Sequence, residues 1–150
     1  MSFFESDSLY HVFHQVLRFH YHRTHMLLDE IGMYPGQPPM LMVLHKMDGQ
    51  SQKELAEKLK IKPATITMML KRMEKAELVE RRQDPEDQRI SRVYITEKGR
   101  KAWEQLQDIM KIIEEECFGN FTQEEQVLLR RLLMQMRDNL MEVCDNKLDV

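Results

Sequence analysis

Several things are scarce in this chain of 150 residues, and each scarcity removes a class of protein. It has two cysteines, Cys117 and Cys144, with no CxxC spacing, too few for a disulfide scaffold. Its five glycines (Gly32, Gly36, Gly49, Gly99 and Gly119) form no phosphate-cradling loop. Neither HExxH nor GxSxG occurs, so the chain is read as no enzyme and as needing no cofactor. The longest apolar run, "PPMLMVL", falls far short of the roughly 20 residues of a membrane span. The opening "MSFFESDS" is acidic and polar, without the basic-then-apolar order of a signal peptide. These absences predict a soluble cytoplasmic protein of one domain, its thiols reduced.

Net positive charge is missing too, at -3 overall, but the charges are unevenly placed. Residues 46–101 are net +5, while residues 1–45 and 102–150 are net -2 and -6. A basic middle between acidic ends lets a small protein meet a polyanion locally and stay soluble. On its own the pattern also fits a solvated face.

What is present is mostly helical periodicity. Leu9, Phe13, Val16, Leu17, His20, Leu27 and Ile31 recur at helical spacing from about Leu9 to Ile31. "GMYPGQPP" breaks that helix, and "MLMVLHKMDG" reads as a short apolar helix stopping at Gly49. "SQKELAEKLK" opens with a capping box, Ser51 and Glu54. "IKPATITMMLKRMEKA" carries Pro63 in a first helical turn and an apolar stripe of Ile66, Met69, Leu70 and Met73. Two long amphipathic helices, "TEKGRKAWEQLQDIMKIIEEECF" and "FTQEEQVLLRRLLMQMRDNLMEVC", close the chain, the second with a capping box from Thr122 to Glu125. Their length, apolar faces and acidic exteriors favour dimerisation over a monomeric bundle.

The middle reads as a unit. Two helices joined by four residues near "KLKI" make a helix-turn-helix. The second helix commits one side to packing and presents Thr65, Thr67, Met68, Lys71 and Arg72 on the other. Hydroxyls and a thioether suit base edges in a major groove, and the cations suit phosphates. The amide-rich start after Lys62 can also meet a phosphate. Next, "LVERR" and "SRVYIT" alternate around the charged turn "QDPEDQR", which predicts a hairpin. Val79, Arg81, Val93 and Ile95 would rest on the helices, and Arg82 and Arg92 would face DNA. Asp87 is spaced to hold the guanidinium of Arg89, which suits a narrow minor groove.

The stretch from Ser51 to Gly99 resembles the winged helix-turn-helix core of MarR-type transcriptional regulators. "LVERRQDPEDQR" and "VYITEKG" are its most specific pieces, and the flanking helices fit in number and order. The resemblance implies a mainly α fold with a small β-hairpin wing, a lobe at about 35–100 between dimerisation helices at about 5–34 and 101–146. It implies a homodimer on double-stranded DNA, a near-palindromic operator, and repression relieved by a small effector. Asp87 and Arg89 would carry the wing signature, with Arg89 in the minor groove. Two departures stand out: Gln88 where many relatives have Arg, and Glu77 where relatives usually have Gly. If position 77 needs positive φ, Glu there costs roughly 1 kcal/mol.

The expected DNA contacts are therefore Ser51, Gln52, Lys53, Lys62, Pro63, Thr65, Thr67, Met68, Lys71, Arg72, Arg81, Arg82, Asp87, Gln88, Arg89 and Arg92. The alternative is a winged domain used for protein contacts without an operator. For an effector, pockets in the family often lie where the first, second and fifth helices meet the DNA-binding lobe. Here that junction offers Phe13, Leu17, Arg18, Tyr34, Met40, His45, Trp103 and Met110, with Arg18 or His45 to meet the acid group of an aromatic or fatty acid. Thirteen methionines suit an adaptable cavity as well as plain core filling. A metal-responsive alternative uses His11, His14, His22 and His25, although Arg18 among them would repel a cation. A redox alternative is disfavoured, because Cys117 follows "IIEEE", whose anions raise a thiol pKa.

Overall fold

The first helix, α1 (Leu9–Glu30), starts where Ser8 Oγ accepts from the His11 amide at 3.2 Å, an N-cap. A computed structural model describes residues 6–144 of the chain. Gly32, at φ 67°, ends α1 in a Schellman motif, with Met33 N–H donating to Leu28 and Gly32 N–H to Asp29. α2 (Gln37–Lys46) then begins three residues before Met40, where the sequence suggested it. Pro38 and Pro39 lie in its first turn, where a missing N–H leaves no helical bond unmade. The prolines read as breakers are helix starters here.

Next come β1 (Gln50–Ser51), α3 (Gln52–Leu59), α4 (Pro63–Lys75), β2 (Val79–Gln83), β3 (Ser91–Ile95), α5 (Glu97–Phe118) and α6 (Gln123–Val143). The fold is thus mainly helical with a small antiparallel sheet. Both expected capping boxes form, Ser51 with Glu54 and Thr122 with Glu125. The connection between α3 and α4 is three residues, Lys60, Ile61 and Lys62, one fewer than expected.

The sheet has order β1-β3-β2, so the hairpin gains a third strand that periodicity did not show. Val79 faces Ile95 and Arg81 faces Val93, while Arg82 lies directly opposite Arg92. Val79, Val93 and Ile95 are buried, so one face of the hairpin rests on the helices. β1 is too short to reach Ile95. The Asp48 carboxylate extends the ladder instead, accepting from the Ile95 amide at 2.9 Å.

The core joins Met40, Leu41 and Leu44 of α2, Leu55 of α3, and Ile66, Leu70 and Met73 of α4. Met69 is only half-buried, so the stripe on α4 is three residues rather than four. Ala102, Leu106, Ile109 and Ile113 are the buried face of α5. One compact unit runs to Ile113 and a second begins at Glu114, within α5. Among the described residues, no helix is long and apolar enough to cross a membrane.

Much of the apolar surface of α1 and α6 is exposed. On α1 only Leu27 and Leu28 are buried, while Leu9 is 87% exposed and Val16, Leu17, Phe19 and Tyr21 are open. α6 has no buried residue, and Val127, Leu128, Leu132, Leu133, Leu140 and Val143 are all exposed.

Candidate nucleic-acid interface

α4 presents a polar and cationic face because its apolar positions fall elsewhere. Ile66, Leu70 and Met73 point inward; Thr65, Met68, Lys71 and Arg72 are exposed. Met68 is 60% exposed, open to a base edge. The Arg72 guanidinium lies 5.7 Å from the centroid of the Tyr34 ring, which holds it beside the helix. Pro63 occupies the first turn of α4, and Lys62 precedes it with extended backbone and no side-chain cap bond. Free amides at that helix start remain open to an acceptor. Lys53, on α3, is exposed as well. Lys58 on α3, Lys60 in the connection and Lys75 on α4 are further exposed cations that the sequence reading passed over.

Three of the expected contacts, Ser51, Gln52 and Thr67, are already engaged within the chain. Ser51 Oγ accepts from the Glu54 amide at 3.1 Å, and its own amide donates to Glu54 Oε2 at 2.9 Å. Gln52 donates to Thr67 Oγ1 and accepts from Arg81 Nη1 at 3.2 Å. Thr67 is half-buried and in turn donates to the Pro63 carbonyl at 2.9 Å.

The wing is built from matched charges. Asp84 accepts from the amides of Glu86 and Asp87 at 2.8 and 3.1 Å, which folds the turn. The same carboxylate takes Arg92 Nε at 2.6 Å, and Arg92 Nη1 reaches the Gly49 carbonyl at 3.1 Å. Arg92 therefore ties the wing turn to the backbone at Gly49, just before β1. At the tip, Arg89 makes a two-pronged pair with Asp87, Nε to Oδ1 and Nη2 to Oδ2, each at 3.0 Å. Arg89 remains 90% exposed, and Gln88 beside it is open. Arg82 pairs with Glu80 and lies 4.7 Å from the Tyr94 ring centroid. Arg81 points the other way, against Glu74 of α4. Each wing arginine thus faces a carboxylate. Hydrogen bonds from Arg92 and then from the turn amides hold Asp84 below the usual carboxylate range. Bonds from the Arg89 side chain and amide do the same for Asp87.

The other expected sites are more scattered. His45 stacks on Trp103 with centroids 5.2 Å apart, and Trp103 Nε1 is buried without a protein acceptor. Met40 is fully enclosed in the core, whereas Leu17, Arg18 and Met110 are exposed and Phe13 half-buried. Tyr34 serves Arg72. Two open grooves run along α6 instead, one past Phe118, Leu133 and Arg137. Neither includes any residue of the expected effector set. The histidine cluster does not assemble: among the described residues no three His, Cys, Asp or Glu side chains come together as a metal would need. His14 and His22 are eight residues apart, about 12 Å along a helix. His25 faces Asp29 at 3.3 Å.

The fold agrees with the comparisons. The MarR family model matches residues 34–91, from the α1–α2 connection through the wing turn. The chain is 34% identical over 109 residues to YdgJ, an uncharacterized HTH-type transcriptional regulator of Bacillus subtilis, covering 73% of this chain and 66% of that one. It is 31% identical over 117 residues to YwoH of the same organism, also an uncharacterized HTH-type transcriptional regulator, covering 78% and 85%. Among solved structures, a MarR-like transcription regulator from Bacillus cereus superposes with a TM-score of 0.74 at 27% identity, over 88% of this chain and 95% of that one. This chain belongs to the MarR family, a family of DNA-binding transcriptional regulators.

Proposed function

We propose that the protein acts as a homodimeric repressor on a near-palindromic operator, released by a small effector. The observation that carries the DNA part is the exposed α4 face, Thr65, Met68, Lys71 and Arg72, in a fold whose wing tip holds Arg89 outward. In this reading α4 lies in the major groove with Thr65 and Met68 at base edges and Lys53, Lys62, Lys71 and Arg72 at phosphates. Arg89, aimed by Asp87, enters the minor groove, where a narrow A·T-rich track concentrates negative potential. Residues of about 35–100 then form the reading lobe, and the helices on either side join two copies. The outer residues of those ranges, residue 5 and residues 145–146, lie outside the described residues.

Dimerisation is supported by the open apolar faces of α1 and α6. A helix with no buried residue is marginal in water unless something covers its apolar side. Two copies related by a two-fold axis would read half-sites about one helical turn apart. For the effector, the His45–Trp103 stack with its unsatisfied indole N–H supports an aromatic or fatty acid near α2 and α5.

The test is fluorescence anisotropy with duplex DNA from upstream of the protein's own gene, across a salt series and with aromatic and fatty acids added. Tight binding, a steeply falling log–log salt plot and release by one acid class are expected. A flat salt plot would favour a protein-contact role for the winged lobe.

A further inference from the structure

Gln52, Arg81 and Thr67 come from three elements, yet they form one hydrogen-bonded path. Its direction is fixed by chemistry. A guanidinium only donates, so the Gln52 oxygen must face Arg81 and accept at 3.2 Å. The Gln52 amide nitrogen then faces Thr67 Oγ1 and donates to it. A backbone carbonyl only accepts, so the Thr67 hydroxyl spends its proton on Pro63 at 2.9 Å. The path therefore runs from β2 through the first residue of α3 into the first turns of α4, with every polar group in a single possible role. Arg81 is three-quarters enclosed and also held by Glu74, so its charge is turned inward.

We infer that Gln52 is a positioning residue that locks the wing to the recognition helix, and that neither it nor Arg81 contacts DNA phosphate. This replaces the expectation that both are phosphate contacts, and it rests on the DNA-binding reading above. It also narrows Thr67. With its proton given to Pro63 and one lone pair taken by Gln52, the hydroxyl can only accept from a base, as from the amino group of cytosine or adenine.

The salt dependence of binding separates positioning from contact. Each lost phosphate contact flattens the slope of log K against log salt by about 0.9, whereas a misaimed wing weakens binding without changing the number of displaced counterions. Gln52→Ala and Arg81→Met are each expected to lower affinity about tenfold, the size of a lost hydrogen bond to a charged group. Their slopes should run parallel to the wild type. The double variant should be no weaker than the weaker single, because both cut the same path. Lys71→Ala, a proposed phosphate contact, supplies the flattened slope for comparison. A second measurement needs no DNA: urea unfolding of Arg81→Met, Thr67→Val and their combination should show coupling that disappears in a Gln52→Ala background. A flattened slope for Gln52→Ala or Arg81→Met, an unchanged affinity, or no coupling in urea each overturns the inference while leaving the proposed function standing. A wild type that binds no duplex at low salt overturns both, and the urea cycle then tells whether the path itself exists.

Discussion

Gly99 sets its bare Cα against the carbonyl of Leu78: a Cβ there would lie 2.2 Å from that oxygen and 2.7 Å from Ile95 Cγ1. The same carbonyl accepts the Thr96 amide at 3.1 Å, and Thr96 Oγ1 donates to the Glu77 carbonyl at 2.6 Å. Thr96 also caps α5 through the Gly99 amide at 3.0 Å. The end of α4 and the start of α5 are thus fastened at backbone distance. Gly99→Ala should destabilise the protein by about 1–3 kcal/mol, the usual scale for overpacking a rigid site. Urea unfolding would show a lower midpoint at unchanged slope; an unmoved midpoint would mean this junction can open freely.

Three helices end in the same Schellman geometry, and only one does so with glycine. Ile61 N–H donates to Ala56 and Leu78 N–H to Met73, as Met33 does to Leu28. The left-handed residue is Gly32 in α1 but Lys60 (φ 51°) and Glu77 (φ 62°) in α3 and α4. Position 77 does take the positive φ that the family's usual glycine suggested. Lys60→Gly and Glu77→Gly are each expected to stabilise by about 1 kcal/mol. Gly32→Ala should destabilise by a similar amount. Glu77 reaches Lys98 only at 3.9 Å with both exposed, too weak a pair to reverse the sign. Thermal or urea unfolding reads all three, and a destabilised Glu77→Gly would show that this surface pair matters more than backbone strain.

Arg89→Ala should weaken operator binding by about 1–3 kcal/mol, the scale of a lost groove contact. Its side chain is 90% exposed and hydrogen-bonded to Asp87 beside it, so Tm should stay nearly put. Asp87→Asn should weaken binding by less, since the guanidinium remains but is no longer aimed. Anisotropy at fixed salt measures both. Wild-type affinity in Arg89→Ala would leave the tip without a part in recognition.

Acid should reach the wing late. Asp84 and Asp87 have folded pKa values below their unfolded ones, so their contribution is complete above the unfolded carboxylate pKa. It fades only as pH falls through the lower folded values. Between pH 7 and 5 the pairs Asp84–Arg92 and Asp87–Arg89 should therefore be unchanged. NMR titration of the two carboxyl carbons would check this, and a midpoint for either at or above the ordinary aspartate value would contradict the geometry.

The open faces of α1 and α6 predict an oligomer sensitive to charge. Leu128→Glu combined with Leu132→Glu places two carboxylates one turn apart on α6, on side chains the chain itself leaves exposed. Sedimentation velocity should show a shift from dimer to monomer, with a lower Tm that rises with protein concentration for the wild type. A wild type that sediments as a monomer would remove the dimer from the proposed function.

How much of this was legible in the sequence varied with the range of the forces involved. Helix starts announce themselves locally, so the boxes at Ser51–Glu54 and Thr122–Glu125 could be read from four residues each. The inward stripe of Ile66, Leu70 and Met73 followed from helical period. Strand β1 could not, because two residues carry no period; the Asp48-Gly49 pair before it was the one turn signal available. Pro38 and Pro39 were ambiguous, since proline both ends one helix and starts the next. The partners of the arginines were beyond local reading. Strand alternation set Arg81 inward and Arg82 outward, but that Arg81 meets Gln52 of α3 and Glu74 of α4 depends on how the hairpin packs on the helices. Burial across the expected effector set was likewise not legible, as apolar periodicity alone did not separate the enclosed Met40 from the exposed Met110.

The even match of charge in the wing bears on the range at which it can act. From Val79 to Thr96 the chain carries four arginines and four carboxylates, and each arginine sits against a carboxylate of the wing or of α4. Paired opposite charges have a field that dies away much faster than that of a lone cation, and saline shortens it further. A polyanion about a nanometre away, one Debye length in saline, would sense the exposed lysines of α3 and α4 more than the hairpin. On the proposed function the wing would then be a short-range device: its arginines would act once phosphates come near enough to compete with Asp84 and Asp87 for them, after the lysines have begun the attraction.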